Sequence, residues 1–406
     1  MKYDFENYID RTGFDALALD MPLGARKIGE GYFGVPINEG YDAIPMWVAD
    51  MSFKTAPSIT KAITERLNHP IFGYFEPREE YFSSIINWHK KRNQNPYITP
   101  ETIGYENGVL GGVVSAAEVL KGKNNKILVH SPCYIGFIKA LSNAGFELVF
   151  SPLREDENGV PRMDIQDMEE KIIREEISTA IFCNPHNPTG RAWQKEELKE
   201  AYNLFQRYNI GVISDEIWSD LYLDNNHHNP SALVSPYAKE NTISLYAPSK
   251  TFNLAGLIGS YHIIYNPELK EQMIKISSKN HYNNMNLLSM YALIGAYSEE
   301  GEEWLTELKT VLSENAKITA GHIKNNWKGV SFFAPEATYM LYLDCKEWCE
   351  SNNTSIDELQ RKGLEYGVLW QDGRPFMKDN TIRLNLSLPT EKLKEALIRL
   401  DNILIK

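Results

Sequence analysis

The sequence is poor in cysteine. Only Cys133, Cys183, Cys345 and Cys349 occur in 406 residues, and no two form a CxxC pair. Cys345 and Cys349 have a spacing that one helix face could turn toward a metal. No histidine or third cysteine stands beside them, so the thiols read as structural and no metal site is expected. Sparse, unpaired cysteine fits a reducing, cytoplasmic setting. Long apolar runs are also missing. No stretch approaches the roughly 18 uninterrupted apolar residues of a membrane helix. The first residues, MKYDFENYIDRTGFDALALD, lack the apolar core of a signal peptide, so neither a membrane span nor export is expected. Basic runs are absent too. The net charge is −12, from 54 acidic and 42 basic residues. An acidic surface without a Lys/Arg cluster argues against nucleic acid or anionic lipid as partners. What is present is an ordinary globular composition, 43% hydrophobic and 24% charged, which excludes wholesale disorder. At roughly 150 residues per domain, the length suggests two or three domains.

The middle of the chain alternates short apolar runs with amphipathic segments. The runs are KILVH (126–130), FELVFSPL (146–153), TAIFC (179–183), IGVISDE (210–216), TISLYA (242–247) and LIGSYHIIY (257–265). Each is rich in branched residues and bounded by Gly, Pro, Asn or Ser, the pattern of buried strands. Helical patterns lie between them at 110–121, 164–176 and 194–208, with Asp164 placed to cap the second. This alternation predicts a mostly parallel sheet covered on both faces. The last third reads differently. Helical patterns at 286–300 and 302–325 precede strand-like GVSFFA (329–334) and TYMLYLD (338–344), a helix at 355–366, strand-like IRLNLSL (382–388) and a final helix from 390. That is an α+β pattern and predicts a second, smaller domain. The first 50 or so residues show little periodicity and read as an extended arm with a covering loop around 21–43. The expected division is 1–60 (arm and part of the small domain), 61–295 (large domain) and 296–406 (remainder of the small domain).

Three segments place polar residues directly after apolar strands, where α/β sheets bind their ligands. NPHNPTG (184–190) has two prolines that fix the backbone and Asn187 as a donor, although a rigid turn needs the same residues. SDEIW (214–218) brings Asp215 and Glu216 out of an apolar strand. A carboxylate there can serve as a base, a metal ligand or the partner of a cationic ring nitrogen, or simply as a cap or ion pair. YAPSKTFNLAGLIGS (246–260) sets Lys250 among small and apolar residues. Such a lysine can lose its charge and act as a nucleophile, or can be a surface lysine lying along apolar surface.

Taken together and in this order, the three segments resemble the fold-type I pyridoxal-phosphate enzymes of the aminotransferase class I/II group. PMWVADMSF (45–53), FGYFEP (72–77), NGVLGGVVSA (107–116), SPCYIGF (131–137), RAWQKEEL (191–198) and IRLNLSLP (382–389) extend the resemblance over nearly the whole chain. PMWVADMSF and APSKTFNLAGL look most like the MalY/PatB-type cystathionine β-lyases. The resemblance implies a large domain with a mostly parallel seven-stranded sheet in α/β/α layers, a smaller α+β domain, and pyridoxal 5'-phosphate as cofactor. It implies that Lys250 carries the cofactor and shuttles the substrate's Cα proton, that Asp215 pairs with the pyridine nitrogen, and that Asn187 donates to the ring's 3-oxygen. Tyr134 would stack on one ring face and Ile217 on the other. Val109 and Leu110 would give backbone N–H groups to the phosphate, with Ser249 adding a hydroxyl and Tyr74 reaching in from the second subunit of a homodimer. Arg383 would clamp the substrate carboxylate, and Trp47 and Tyr134 would line the substrate pocket.

The sequence departs from the aminotransferase pattern in two places. Ile258 stands where typical members carry a phosphate-binding arginine, and the MalY/PatB type also lacks arginine there. Trp218 replaces the tyrosine of aminotransferases or the histidine frequent in the lyases; its indole can donate to the cofactor but cannot accept or titrate. The segment between Asp20 and Tyr41 is also longer than in the lyases. Two reactions remain open for an amino-acid substrate: β-elimination of a cysteine S-conjugate to pyruvate, ammonia and a thiol, or transamination with a 2-oxo acid. A third reading, from another class, is a cofactor-bearing interaction protein without turnover.

Overall fold

In the computed structural model the apolar runs of the sequence become the strands of one large sheet. The structure describes residues 1–20, 35–224, 226–279 and 282–405; residues 21–34 of the expected covering loop lie outside these. The chain folds as two compact bodies. One contains Thr55–Asn187 and Arg191–Thr306; the other contains Met1–Lys54, Pro188–Gly190 and Glu307–Lys406.

The first body holds a seven-stranded sheet. Its strands lie in the order Ile103–Glu106, Ser260–Ile263, Thr242–Tyr246, Gly211–Asp215, Thr179–Cys183, Lys126–Ser131 and Glu147–Pro152. The last five run parallel, whereas Ser260–Ile263 is antiparallel to both of its neighbours. Two reversals restore direction, so Ile103–Glu106 again points the same way as the parallel strands. Thr179–Cys183 and Thr242–Tyr246 are buried at every residue, as strands covered on both faces must be. Leu128, Phe182, Trp193, Leu198, Phe205 and Val212 pack one face of this core. The cap predicted at Asp164 is present. Asp164 accepts from the Asp167 N–H at 3.1 Å to open Ile165–Arg174. Gln194 and Glu197 form a capping box at the start of Lys195–Tyr208, and Asn209 ends that helix in the left-handed region.

The second body holds a five-stranded sheet ordered Ile44–Met46, Val368–Asp372, Thr381–Asn385, Met340–Asp344 and Ser331–Phe332. Only its first pair is parallel. Helices Ile356–Glu365 and Thr390–Leu404 match the predicted positions. Several elements lie where the sequence reading marks none, namely strands Ile44–Met46, Ile103–Glu106 and Val368–Asp372 and helices Pro57–Leu67, Glu79–Arg92 and Pro267–Ser278. Among the described residues no helix is long and apolar enough to cross a membrane. All four cysteines are buried and free.

Candidate active site

The parallel strands all end at one edge of the sheet, and the chemically active residues follow those ends. Tyr134 comes after Lys126–Ser131, Asn187 after Thr179–Cys183, Asp215 closes Gly211–Asp215, and Ser249 and Lys250 follow Thr242–Tyr246. The chain steps to opposite sides of Lys126–Ser131 to form its two neighbouring strands, which opens the crevice where such sheets bind ligands. Glu106 ends its strand at the same edge and leads through Gly108 into helix Val109–Leu120.

Asp215 is 3% exposed. Its Oδ1 accepts from the Ile217 N–H at 3.1 Å. Burial pushes its carboxyl up to about 7, while the Ile217 N–H and the nearby Lys250 pull it down. A buried carboxylate this poorly compensated is suited to a cationic partner. Its main chain is fixed by the neighbouring strand end, where the Asn184 N–H donates to the Asp215 carbonyl at 2.9 Å.

Lys250 is partly exposed, and its Nζ lies over the Trp218 ring, 5.7 Å from the centroid. Trp218 is itself buried. The turn that carries Lys250 is anchored through its neighbour. Thr251 Oγ1 donates to Asp220 Oδ2 at 3.1 Å, and the same carboxylate accepts from Trp88 Nε1 at 3.0 Å and Arg92 Nε at 2.9 Å. Asn187 is buried, with its backbone N–H directed at Cys183 Sγ at 3.4 Å. Tyr134 occupies the position just before helix Ile135–Asn143, and its ring packs edge-on to Phe137 at 5.3 Å. Gly136 leaves room for that ring, since a Cβ there would collide with it. Ile217 is half-buried beside Asp215, and Ser249 is partly exposed.

Helix Val109–Leu120 starts without a side-chain cap. Gly108 precedes it at φ 90°, a conformation that favours glycine. The first-turn N–H groups of Val109 and Leu110 therefore retain donors and the positive end of the helix dipole, which suits a phosphate dianion. Ile258 lies beside this start, its Cγ2 3.7 Å from where a Cβ of Gly108 would stand. Tyr74 is fully exposed on the segment between Pro57–Leu67 and Glu79–Arg92.

Arg383 and Trp47 belong to the second body. Arg383 lies in the central strand Thr381–Asn385 and is 5% exposed. Its Nη2 donates to the Trp47 carbonyl at 2.8 Å, and its guanidinium lies 4.8 Å from the Phe376 ring centroid. Trp47 Nε1 donates to the Ala18 carbonyl at 2.9 Å, which orients the indole.

The neighbouring carboxylate turns away from this chemistry. Glu216 is wholly buried and accepts from Tyr246 OH at 2.6 Å, Ser214 Oγ at 2.9 Å and the Ser231 N–H at 3.1 Å, and it pairs with His228 Nε2 at 2.6 Å. Burial pushes its carboxyl up, but His228, Tyr246 and Ser214 outweigh this and hold it below its ordinary value. Glu216 is a structural acid, which the pairing of Asp215 and Glu216 in sequence does not reveal. The Asp220 cluster is equally silent in the sequence, because Trp88 and Arg92 lie about 130 residues before it.

The family model described as aminotransferase class I and II matches residues 42–400. The chain belongs to the aminotransferase class I and II family. Cystathionine beta-lyase PatB from Bacillus subtilis (strain 168) is 31% identical over 400 residues, 98% of each chain. Within the family, the solved PLP-bound C-S lyase from Staphylococcus hominis superposes with a TM-score of 0.87 at 31% identity, covering 99% of both chains. A PLP-bound putative aminotransferase from Clostridium difficile 630 superposes with a TM-score of 0.88 at 32% identity, covering 98% of this chain and 99% of the other. The residues at the strand ends fit that cofactor: an uncapped helix start for its phosphate, a buried acid for its ring nitrogen, and a lysine over an aromatic wall.

Proposed function

We propose that this chain is a pyridoxal-phosphate-dependent C–S β-lyase that cleaves cystathionine or a related cysteine S-conjugate to pyruvate, ammonia and a thiol. The likeness to cystathionine beta-lyase PatB supports elimination, and one structural observation carries the cofactor chemistry. Tyr134, Asn187, Asp215 and Lys250 all lie at the carboxyl ends of four neighbouring parallel strands, with Lys250 close enough to Asp215 to lower its pKa. When bound, the cofactor supplies an electron sink for the negative charge that develops at the substrate Cα.

The chain's own residues do the rest. Lys250 holds the cofactor and moves the Cα proton. Asp215 would pair with a charged ring nitrogen, and a cation there would favour the carboxylate that burial disfavours. Asn187 would donate to the ring's 3-oxygen, Tyr134 and Ile217 would hold its faces, and Trp218 walls the lysine. Val109, Leu110 and Ser249 hold the phosphate without an arginine at position 258. Arg383, which holds the Trp47 carbonyl within the second body, is assigned to the substrate carboxylate, to which its two-pronged donor set is better suited than a lysine, and Trp47 and Tyr134 are each assigned to the substrate as well.

The reading includes a large cofactor domain, a smaller domain drawn from both termini, and a homodimer in which Tyr74 serves the partner's phosphate. The exposed side chains of Ile71, Phe72 and Tyr74 support that assembly, because a second subunit would cover them. The free, buried thiols support a reducing, cytoplasmic setting. A second reading, transamination, is favoured by the likeness to the Clostridium difficile protein named a putative aminotransferase. Both use the same residues and differ in whether the Cβ–S bond breaks to release the thiol or stays intact while the amino group is passed on. Incubation with cystathionine and a panel of cysteine conjugates decides between them. Pyruvate and free thiol in equal amounts are expected. Amino-group transfer to a 2-oxo acid without pyruvate would replace the lyase reading with the second.

A further inference from the structure

Beneath the helix start lies a buried polar chain that the proposed chemistry does not use. Glu106, fully buried, ends the strand that leads into Gly108. Its Oε1 is 2.7 Å from His262 Nδ1, and His262 Nε2 is 2.9 Å from Lys270 Nζ. Its Oε2 lies 3.3 Å from Tyr282 OH, which is 2.7 Å from Ser115 Oγ on helix Val109–Leu120. The segment around Tyr282 also grips the turn before the helix. Asn283 Oδ1 accepts from the Asn107 N–H at 2.6 Å, Asn107 Nδ2 donates to the Tyr282 carbonyl at 3.2 Å, and Asn283 Nδ2 donates to the Tyr105 carbonyl at 2.6 Å.

Three glycines make room for this arrangement. A Cβ on Gly104 would collide with the His262 ring and come within 2.8 Å of Lys270 Nζ. A Cβ on Gly111 would lie 3.1 Å from the Tyr282 ring, and one on Gly112 would lie 2.7 Å from Leu245 and 3.3 Å from Glu106 Cγ. Gly111 and Gly112 stand in the first turn of a helix, where glycine costs about 1 kcal/mol relative to alanine. Close approach of the Tyr282 ring accounts for Gly111, whereas Gly112 makes room first for Leu245 and then for Glu106.

We propose that Glu106, His262, Lys270 and Tyr282 form a positioning chain that holds the Gly108–Leu110 helix start in place for the cofactor's phosphate. This rests on the reading that the helix start binds that phosphate. Donor chemistry keeps the chain closed. An ammonium at Lys270 can only donate, so His262 accepts at Nε2 and donates from Nδ1 to an ionised Glu106. Moving a proton from Lys270 to Glu106 reverses both bonds and leaves the net charge unchanged. Burial pushes Glu106 up to about 8, lowers Lys270 to about 8, and holds His262 well below its ordinary value, so the imidazole is neutral in both arrangements. The chain thus stays connected with either polarity, which suits a support more than a catalyst.

The test titrates the full-length apo protein with pyridoxal phosphate and, separately, with pyridoxal, which lacks the phosphate. The wild type is expected to prefer the phosphate form. Glu106→Ala is expected to weaken pyridoxal phosphate about tenfold while changing pyridoxal less than about twofold. Tyr282→Phe, which removes one hydroxyl from a half-buried ring and spares the fold, is expected to give a loss of about threefold, again selective for the phosphate form. Glu106→Gln keeps an acceptor for His262 and is expected to retain most of the preference. Unchanged preference in both Glu106→Ala and Tyr282→Phe, or equal losses for the two ligands, would overturn the positioning role and leave the helix site standing. No preference in the wild type would remove the helix start from the site, and the positioning role with it.

Discussion

Asp215 and Glu216 are adjacent in sequence, equally buried, and chemically opposite. Asp215 accepts from the Ile217 N–H and is pushed up to about 7 by burial. Glu216 gathers Ser214, Tyr246, His228 and the Ser231 N–H, and is held below its ordinary value. Burial disfavours both carboxylates, and the donors around each one decide the outcome. The two side chains leave the strand end toward different neighbours, Asp215 toward the Ile217 N–H and Lys250, Glu216 toward His228 and Tyr246. A fully satisfied acid holds structure, whereas an under-satisfied one is ready for a cationic ligand.

The contrast can be broken most severely at the lysine that faces Asp215. Lys250→Ala should lower turnover by about 10⁴-fold, since it removes the group that moves the Cα proton, while thermal stability of the apo protein stays within a few degrees. Turnover assays beside melting curves check this. Next comes the structural acid. Glu216→Ala leaves a histidine, three hydroxyl groups (Ser214, Ser244 and Tyr246) and a backbone N–H buried without their acceptor, and should cost about 3–5 kcal/mol in denaturant unfolding.

Asp215→Asn should have the opposite sign. A carboxyl raised from 3.8 to about 7 favours the protonated folded state. That preference is fully present below 3.8 and is lost as pH rises through about 7. Apo wild type and variant should therefore match near pH 3–4, and the variant should be more stable by up to about 4 kcal/mol near pH 8. The same variant should be a poorer enzyme, because a neutral amide does not hold a charged ring nitrogen. The smallest effect is expected from Tyr246→Phe, which removes one donor from Glu216 and should cost about 1–2 kcal/mol of unfolding free energy with cofactor affinity unchanged.

Much of this is legible from residues alone, and the reasons are specific. TAIFC and IGVISDE announce themselves because strands buried on both faces are continuous runs of branched residues. Asp215, Asn187 and Lys250 stand out because each follows such a run. Ile103–Glu106 escapes notice because IGYE is short, contains glycine and ends in a carboxylate, which reads as a loop until His262 and Tyr282 supply its partners. Val368–Asp372 is hidden for a related reason, since its apolar start gives way to Gln371 and Asp372. The roles of Glu216 and Asp220 depend on residues distant in the chain, and no local pattern encodes such contacts. Trp218 is visible as an unusual residue, but only the fold places its ring under Lys250.

The central claim is that these strand ends hold the cofactor on one lysine. The most direct measurement is to load the protein with pyridoxal phosphate, reduce it with borohydride, and map the modified peptide by mass spectrometry. The account predicts a single phosphopyridoxyl group on Lys250. Modification of a different lysine, or none, would contradict it.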